Sequence, residues 1–177
     1  KLKKNLVFIC EKPLTKNFNT IMKLESLVKK NKKKWYTNYM RLFDPKFLLL
    51  KKYFEENKKL NFFCEVFYNG TLLNSCSHYI SLIITLFGNN FKFKIFKIKK
   101  NFCDFKLIYK NSEIYFYSSS IRNLKYEDIR LISKNLIFTY RNGGQEVIKE
   151  KSIINPVYKS GRNYVIIKKI KDNFYKN

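Results

Sequence analysis

The sequence predicts an α+β fold: an antiparallel sheet with helices packed on one face, carrying basic N- and C-terminal extensions. Three observations predict it. A hairpin pattern runs from Tyr79 to Lys100, two helical spacings precede it, and aromatic-rich strand patterns separated by turn residues flank it. The expected divisions are a basic extension or reduced first domain over residues 1–43, an α+β domain over 44–144, and a C-terminal extension over 145–177.

In chain order, Asn5 to Cys10 reads as a short strand. Ile21, Leu24 and Val28, with Leu27 beside them, have helical spacing. That helix runs into the densest basic cluster, Lys29, Lys30, Lys32, Lys33 and Lys34, followed by Trp35 and Tyr36. The cluster reads either as a solvated helix end with cations near its C-terminus or as a phosphate-binding arm, and the basic chain favours the arm. Asp44-Pro45 opens a second helix, with an N-cap acid and a proline at the first helical position. Phe47, Leu50 and Phe54 form its buried stripe.

Leu60 to Tyr68 reads as a strand, and Asn69-Gly70 as a hairpin turn. Tyr79 to Phe87 is almost wholly apolar and reads as the first arm of the next hairpin, turned by Gly88-Asn89-Asn90. In the second arm Phe91, Phe93 and Ile95 alternate with Lys92 and Lys94; the phase slips at Phe96, as at a β-bulge, and Ile98 then alternates with Lys97 and Lys99. The result is a two-faced sheet with a row of ammonium groups on one side. Asn101 to Tyr109 is a further strand or an irregular connection, and Glu113 to Tyr117 is strongly β. Ile121 to Leu136 reads as a helix, and Arg141-Asn142-Gly143-Gly144 as an exposed basic loop. In the tail, Val147-Ile148 and Tyr164 to Ile167 are short strands.

The 177 residues carry 37 Lys and Arg against 13 Asp and Glu, a net charge of +24. Such a chain repels itself and gains beside a polyanion, a nucleic acid first and an anionic membrane second. It has no Ala, only 5 Gly and 3 Pro, and an excess of Lys, Asn, Ile, Phe and Tyr, the mark of a strongly AT-biased genome. That bias inflates the lysine count but does not account for the sign of the charge. No run reaches the roughly 20 apolar residues that span a bilayer. The apolar run Leu6 to Cys10 is short for a secretory signal, so the chain reads as made where it works or already trimmed.

Cys10, Cys64, Cys76 and Cys103 form no C-x-x-C pair and read as packed thiols in a reducing compartment. The sole histidine, His78, reads as packed rather than catalytic. There is no phosphate-binding glycine loop. The acidic pairs Glu55-Glu56 and Glu127-Asp128 read as solvent-facing. A non-enzyme is expected, without cofactor or metal.

The order of elements resembles the C-terminal domain of the bacterial-type large-subunit ribosomal protein number six. Lys58-Lys59-Leu60 is similar to that family's "KKLE", Leu82 to Ile95 to its "LVLNLGYSHPVEYEIP", and Ser112 to Ser118 to its "TEIVVKG"; Asp128-Ile129-Arg130 stands at its helix ending in "IR", and Arg141 to Gly144 at its RNA-touching loop. The resemblance implies a structural protein of a large ribosomal subunit. With the AT bias, this places it in a mitochondrial or plastid ribosome. The expected partners are ribosomal RNA and neighbouring ribosomal proteins, with no small-molecule substrate and no transmembrane segment. Expected RNA contacts are the Lys29–Tyr36 cluster, the hairpin lysines Lys92, Lys94, Lys97, Lys99 and Lys100, and Arg141. Two alternatives stand beside this reading: a basic accessory subunit of an organellar membrane complex, and a nucleic-acid enzyme fragment.

Overall fold

The structure, a computed structural model, describes residues 7–99, 102–119, 126–158 and 160–171. It divides into two compact units, Lys1–Met40 and Arg41–Asn177.

In the first unit, β1 (Val7–Glu11) and β2 (Lys34–Asn38) pair in parallel through α1 (Phe18–Lys30). Parallel neighbours need such a crossover because a tight turn can only reverse the chain. Asn17 caps α1, its Oδ1 accepting from the amides of Asn19 (2.9 Å) and Thr20 (3.4 Å). Lys29 and Lys30 close the helix where its dipole favours cations.

The second unit is α+β and is built on a sheet of eight strands in the order β10-β9-β8-β7-β3-β6-β5-β4. These are β3 (Phe63–Asn69), β4 (Lys92–Lys99), β5 (Phe102–Ile108), β6 (Glu113–Ser119), β7 (Asp128–Ile132), β8 (Leu136–Arg141), β9 (Glu146–Ile154) and β10 (Arg162–Lys171). Every neighbouring pair is antiparallel except β3 with β6. Among the described residues the unit's two α-helices are α2 (Pro45–Glu56) and α3 (Ser77–Phe87). Their apolar sides meet alternate strand residues, Cys64, Val66, Ile114, Phe116, Ile129 and Leu131 among them, in one core. The stripe expected on α2 is there: Phe47, Leu50 and Phe54 are buried, and Asp44 Oδ1 accepts from the Lys46 amide at 2.8 Å. The bulge expected near Phe96 is there as well, a register shift between Ile95 and Lys97.

Three expectations are corrected. Tyr79 to Phe87 is helix, not the arm of a hairpin. Tyr79, Leu82, Ile83 and Leu86 are its buried residues, spaced i, i+3, i+4, i+7, and a short apolar run fits a buried strand and a buried helix equally. Asn69-Gly70 is not a hairpin turn: Gly70, at φ +96°, turns the chain out of β3 into a π-helical turn, Leu72–Cys76, that leads into α3. The stretch read as a helix to Leu136 holds strand β7 and the turn into β8, with Ile121 to Lys125 outside the described residues. Ile129 and Leu131 are buried while Arg130 between them is not, so the true period is two. The tail contributes β9 and β10, which complete one end of the sheet.

Candidate functional site

The chain leaves the C-terminal end of β3 at Asn69-Gly70, and an open cleft of about 350 Å³ lies there. Arg41, Asn74, Ser75, His78 and Glu127 line it. Arg41 comes from a 3-10 turn, Met40–Phe43, just before α2. Asn74 and Ser75 come from the π-helical turn, an irregularity frequent at functional sites. His78 sits in the first turn of α3, and Asn74 lies four residues before it, a spacing that puts the two side chains on one helical face. Glu127 immediately precedes β7.

Glu127 organises this cleft. Its Oε2 accepts from Arg41 Nη2 at 2.9 Å and from the Tyr79 hydroxyl at 2.8 Å, and its Oε1 accepts from the Ser75 hydroxyl at 3.1 Å. Arg41 Nη1 also donates to the Tyr79 hydroxyl, and its guanidinium lies over the Tyr79 ring, 4.8 Å from the centroid. Burial alone would raise the Glu127 carboxyl, but Arg41 and the two hydroxyls outweigh it and hold Glu127 below the usual carboxylate range. Burial pushes the Tyr79 phenol well up, so it stays a neutral donor. Four side chains from three separate parts of the chain thus hold one another in fixed geometry, and the cleft wall needs little reorganisation to meet a ligand.

The loop after β8 closes the cluster from below. The Gly143 amide donates to the Glu127 carbonyl at 2.7 Å, and the Asn142 amide donates to Asp128 Oδ1 at 2.9 Å. The Tyr140 hydroxyl, fully buried, donates to Asp44 Oδ2 at 2.5 Å. Arg141 and Asn142 are exposed, as expected, but Arg141 ends β8 and Gly144 is buried, so the stretch is a turn keyed into the sheet rather than a free loop. Arg141 itself faces Glu146 at 3.5 Å and Asp128 at 4.0 Å.

The other residues expected to touch RNA belong to both units. Lys29 and Lys30 end α1, Lys32 has φ 50°, Lys33 follows it, and Lys34, Trp35 and Tyr36 lie in β2. Lys92, Lys94 and Lys97 are exposed on β4 at one sheet edge, Arg141 ends β8 five strands away, and the structure does not bring them together. The side chain of Lys99 and all of Lys100 lie outside the described residues. Arg41 and Ser75 carried no expected role; His78, read as packed, is half-buried at the cleft wall, and Glu127, read as solvent-facing, is instead bonded to Arg41, Tyr79 and Ser75. The only signal in the sequence was the Asn74/His78 spacing at the sole histidine. Among the described residues no group of three His, Cys, Asp or Glu side chains could hold a metal, and no helix is long and apolar enough to cross a membrane.

No family model matches the chain, and no curated protein matches it. Solved structures do. An oxidoreductase from Pseudomonas syringae superposes with a TM-score of 0.74 at 12% identity, over 92% of this chain and 49% of its own. An NAD-binding oxidoreductase from Klebsiella pneumoniae gives 0.69 at 9%, over 90% and 53%. The WlbA dehydrogenase from Thermus thermophilus, solved with NAD and alpha-ketoglutarate, gives 0.59 at 17%, over 71% and 50%. This chain thus spans about half the length of these neighbours, and the likeness is one of fold.

That likeness overturns the ribosomal reading, and with it the ribosomal RNA and ribosomal-protein partners and the non-enzyme expectation. The segments that carried the resemblance are different elements here: Leu82 to Phe87 belongs to α3, and Asp128-Ile129-Arg130 is strand.

Proposed function

We propose that Arg41–Asn177 is the substrate-side domain of an oxidoreductase, holding a small polar substrate in the cleft beside His78. The observation that carries this reading is the placement of the sole histidine in a polar, pre-organised cleft, on a fold shared with oxidoreductases. Interconverting an alcohol and a carbonyl moves one proton to or from the substrate oxygen and a hydride to or from its carbon, which a nicotinamide would exchange. An imidazole is the side chain whose ordinary pKa suits that task at neutral pH. His78 would take that proton in oxidation and return it in reduction. Asn74 offers an amide to a neighbouring substrate oxygen, and Arg41, held by Glu127 and Tyr79, presents fixed positive charge at the cleft wall.

The described residues do not fit a dinucleotide. Lys1–Met40 contains no glycine for a phosphate-hugging turn, and Asn17 already occupies amides in the first turn of α1. A nicotinamide dinucleotide would be held by a separate domain, for which the half of the neighbours' length not spanned here leaves room.

The test uses the single histidine as its own reporter. The imidazole protons of His78 are followed by NMR while hydroxy acids, keto acids, polyols and aldoses are added to tens of millimolar. A saturable shift at His78 with at least one class, abolished in the folded Asn74→Leu variant, supports the reading. A flat His78 response across the whole panel sinks it.

A further inference from the structure

The far edge of the sheet poses a separate question. Among the described residues β4 pairs with β5 alone, which leaves its other side a strand edge. Such edges recruit strands from other chains unless something prevents it. The two faces of β4 are opposite in character. On the helix side stand Phe93, Ile95 and Ile98, which are 68%, 44% and 72% exposed. Phe93 and Ile95 form part of an apolar groove of about 220 Å³ whose opposite wall includes Leu72 and Ile80. On the other side stand Lys92, Lys94 and Lys97, all exposed, with Phe96 stacked on Tyr115 beside them. Among the described residues none of these three lysines forms a salt bridge.

We propose that the β4 edge takes up a strand from a partner protein whose residues alternate apolar and acidic. Charge and spacing select that chemistry. An added strand continues the alternation of the sheet, so its side chains fall alternately beside the apolar row and beside the lysine row. Directly opposed side chains sit about 4.5–5.5 Å apart, within reach of an ion pair. Carboxylates meet the lysines, and apolar side chains cover Phe93 and Ile95 and border the groove. A second copy of this chain does not fit: pairing β4 with β4 sets lysine against lysine, on molecules that each carry +24. The lysines therefore refuse self-association and admit an acidic strand, so one row serves both ends. The bulge between Ile95 and Lys97 breaks the ladder, so the partner registers on Lys92 to Ile95.

The probe is a fluorescent, end-blocked octapeptide alternating valine and glutamate, followed by anisotropy on the full chain. Saturable binding is expected. Lys92→Glu/Lys94→Glu should weaken it about tenfold, the equivalent of roughly 1.4 kcal/mol from two lost and reversed pairs. The same variant should gain affinity for an alternating valine–lysine peptide, while Phe93→Ser/Ile95→Ser should lose the glutamate peptide with the lysines intact. Lys58→Glu/Lys59→Glu changes the net charge equally, away from β4, and should leave binding within about threefold. No saturable binding overturns the proposal. So does an equal loss in the β4 and control swaps, which would assign the attraction to the overall charge.

Discussion

Gly144→Ala tests whether the loop under the cleft is as tightly keyed as its contacts imply. Gly144 has φ +104°, a conformation that costs a residue with a Cβ roughly 1–3 kcal/mol. An added Cβ would also fall against the Tyr140 hydroxyl and Asp44 Oδ2, far inside any real carbon contact. Either the loop moves, or Tyr140 surrenders its hydrogen bond to the Asp44 carboxylate, which is worth about 1.5–3 kcal/mol. Asp44 cannot simply swing away, because its other oxygen caps α2. The sum is roughly 2.5–6 kcal/mol, a large share of a domain's total of about 5–15. At about 2–4 °C per kcal/mol for a chain of this size, thermal unfolding by circular dichroism should fall by roughly 5–24 °C. The cause can be separated from a generic loop effect. Tyr140→Phe removes the nearest clashing atom, so Gly144→Ala should cost about 1 kcal/mol less in that background. A melting shift under about 2 °C, or strict additivity of the two changes, would refute the reasoning.

Other outcomes follow from the same geometry. Glu127 is held below the ordinary carboxylate range, so its stabilisation is present above the unfolded pKa and lost as pH falls through the folded one. Glu127→Gln should cost about 1–3 kcal/mol at pH 7 in urea titrations, and the difference from the parent should shrink below about pH 4.3. Asp128 has the opposite sign: burial raises it despite the Asn142 amide and Arg141, so its stabilisation holds below the unfolded pKa and fades as pH rises through the folded one. Asp128→Asn, whose Oδ1 can still accept from Asn142, should therefore gain on the parent chain as pH rises above about 4; parallel pH curves for the two variants would refute the assignment. Phe116, fully buried and stacked on Phe105 at 4.4 Å, should cost about 3–5 kcal/mol when truncated to Ala, read from the urea midpoint.

Local signals in this sequence were legible where chemistry acts over a few residues. Asp44-Pro45 marked the start of α2, and the phase slip at Phe96 marked the β4 bulge. Illegibility set in where two structures satisfy one pattern. Tyr79 to Phe87 is apolar on nearly every side, so its period was hidden until α3 showed which residues are buried. Around Ile129 to Leu136 the helical spacing was an accident of two strands joined by a tight turn, where the Ser133 amide donates to Leu136 O at 2.8 Å. The cleft was illegible for another reason: Arg41, Ser75 and Glu127 are brought together only by the sheet, and no linear motif records their meeting. Charge misled because it was read as a whole-chain sum. Glu65, Glu113 and Asp128 sit on the sheet opposite Arg130, Lys106 and Arg141, so much of the second unit's electrostatics is local pairing.

The strand order also governs when this molecule can exist. β4, β5 and β6 pair with their sequence neighbours, and so do β7, β8, β9 and β10. β3 alone joins the two ladders, through β6 on one side and β7 on the other. Both partners lie more than forty residues downstream, so β3 emerges early in synthesis and waits with its apolar face unpaired. Each ladder can zip locally and fast, whereas closing the seam costs the entropy of long loops. Folding should therefore pass through two partly formed sheets, with β3 insertion as the slow and aggregation-exposed step. In hydrogen exchange during refolding, amides of β8 and β9 should gain protection before those of β3.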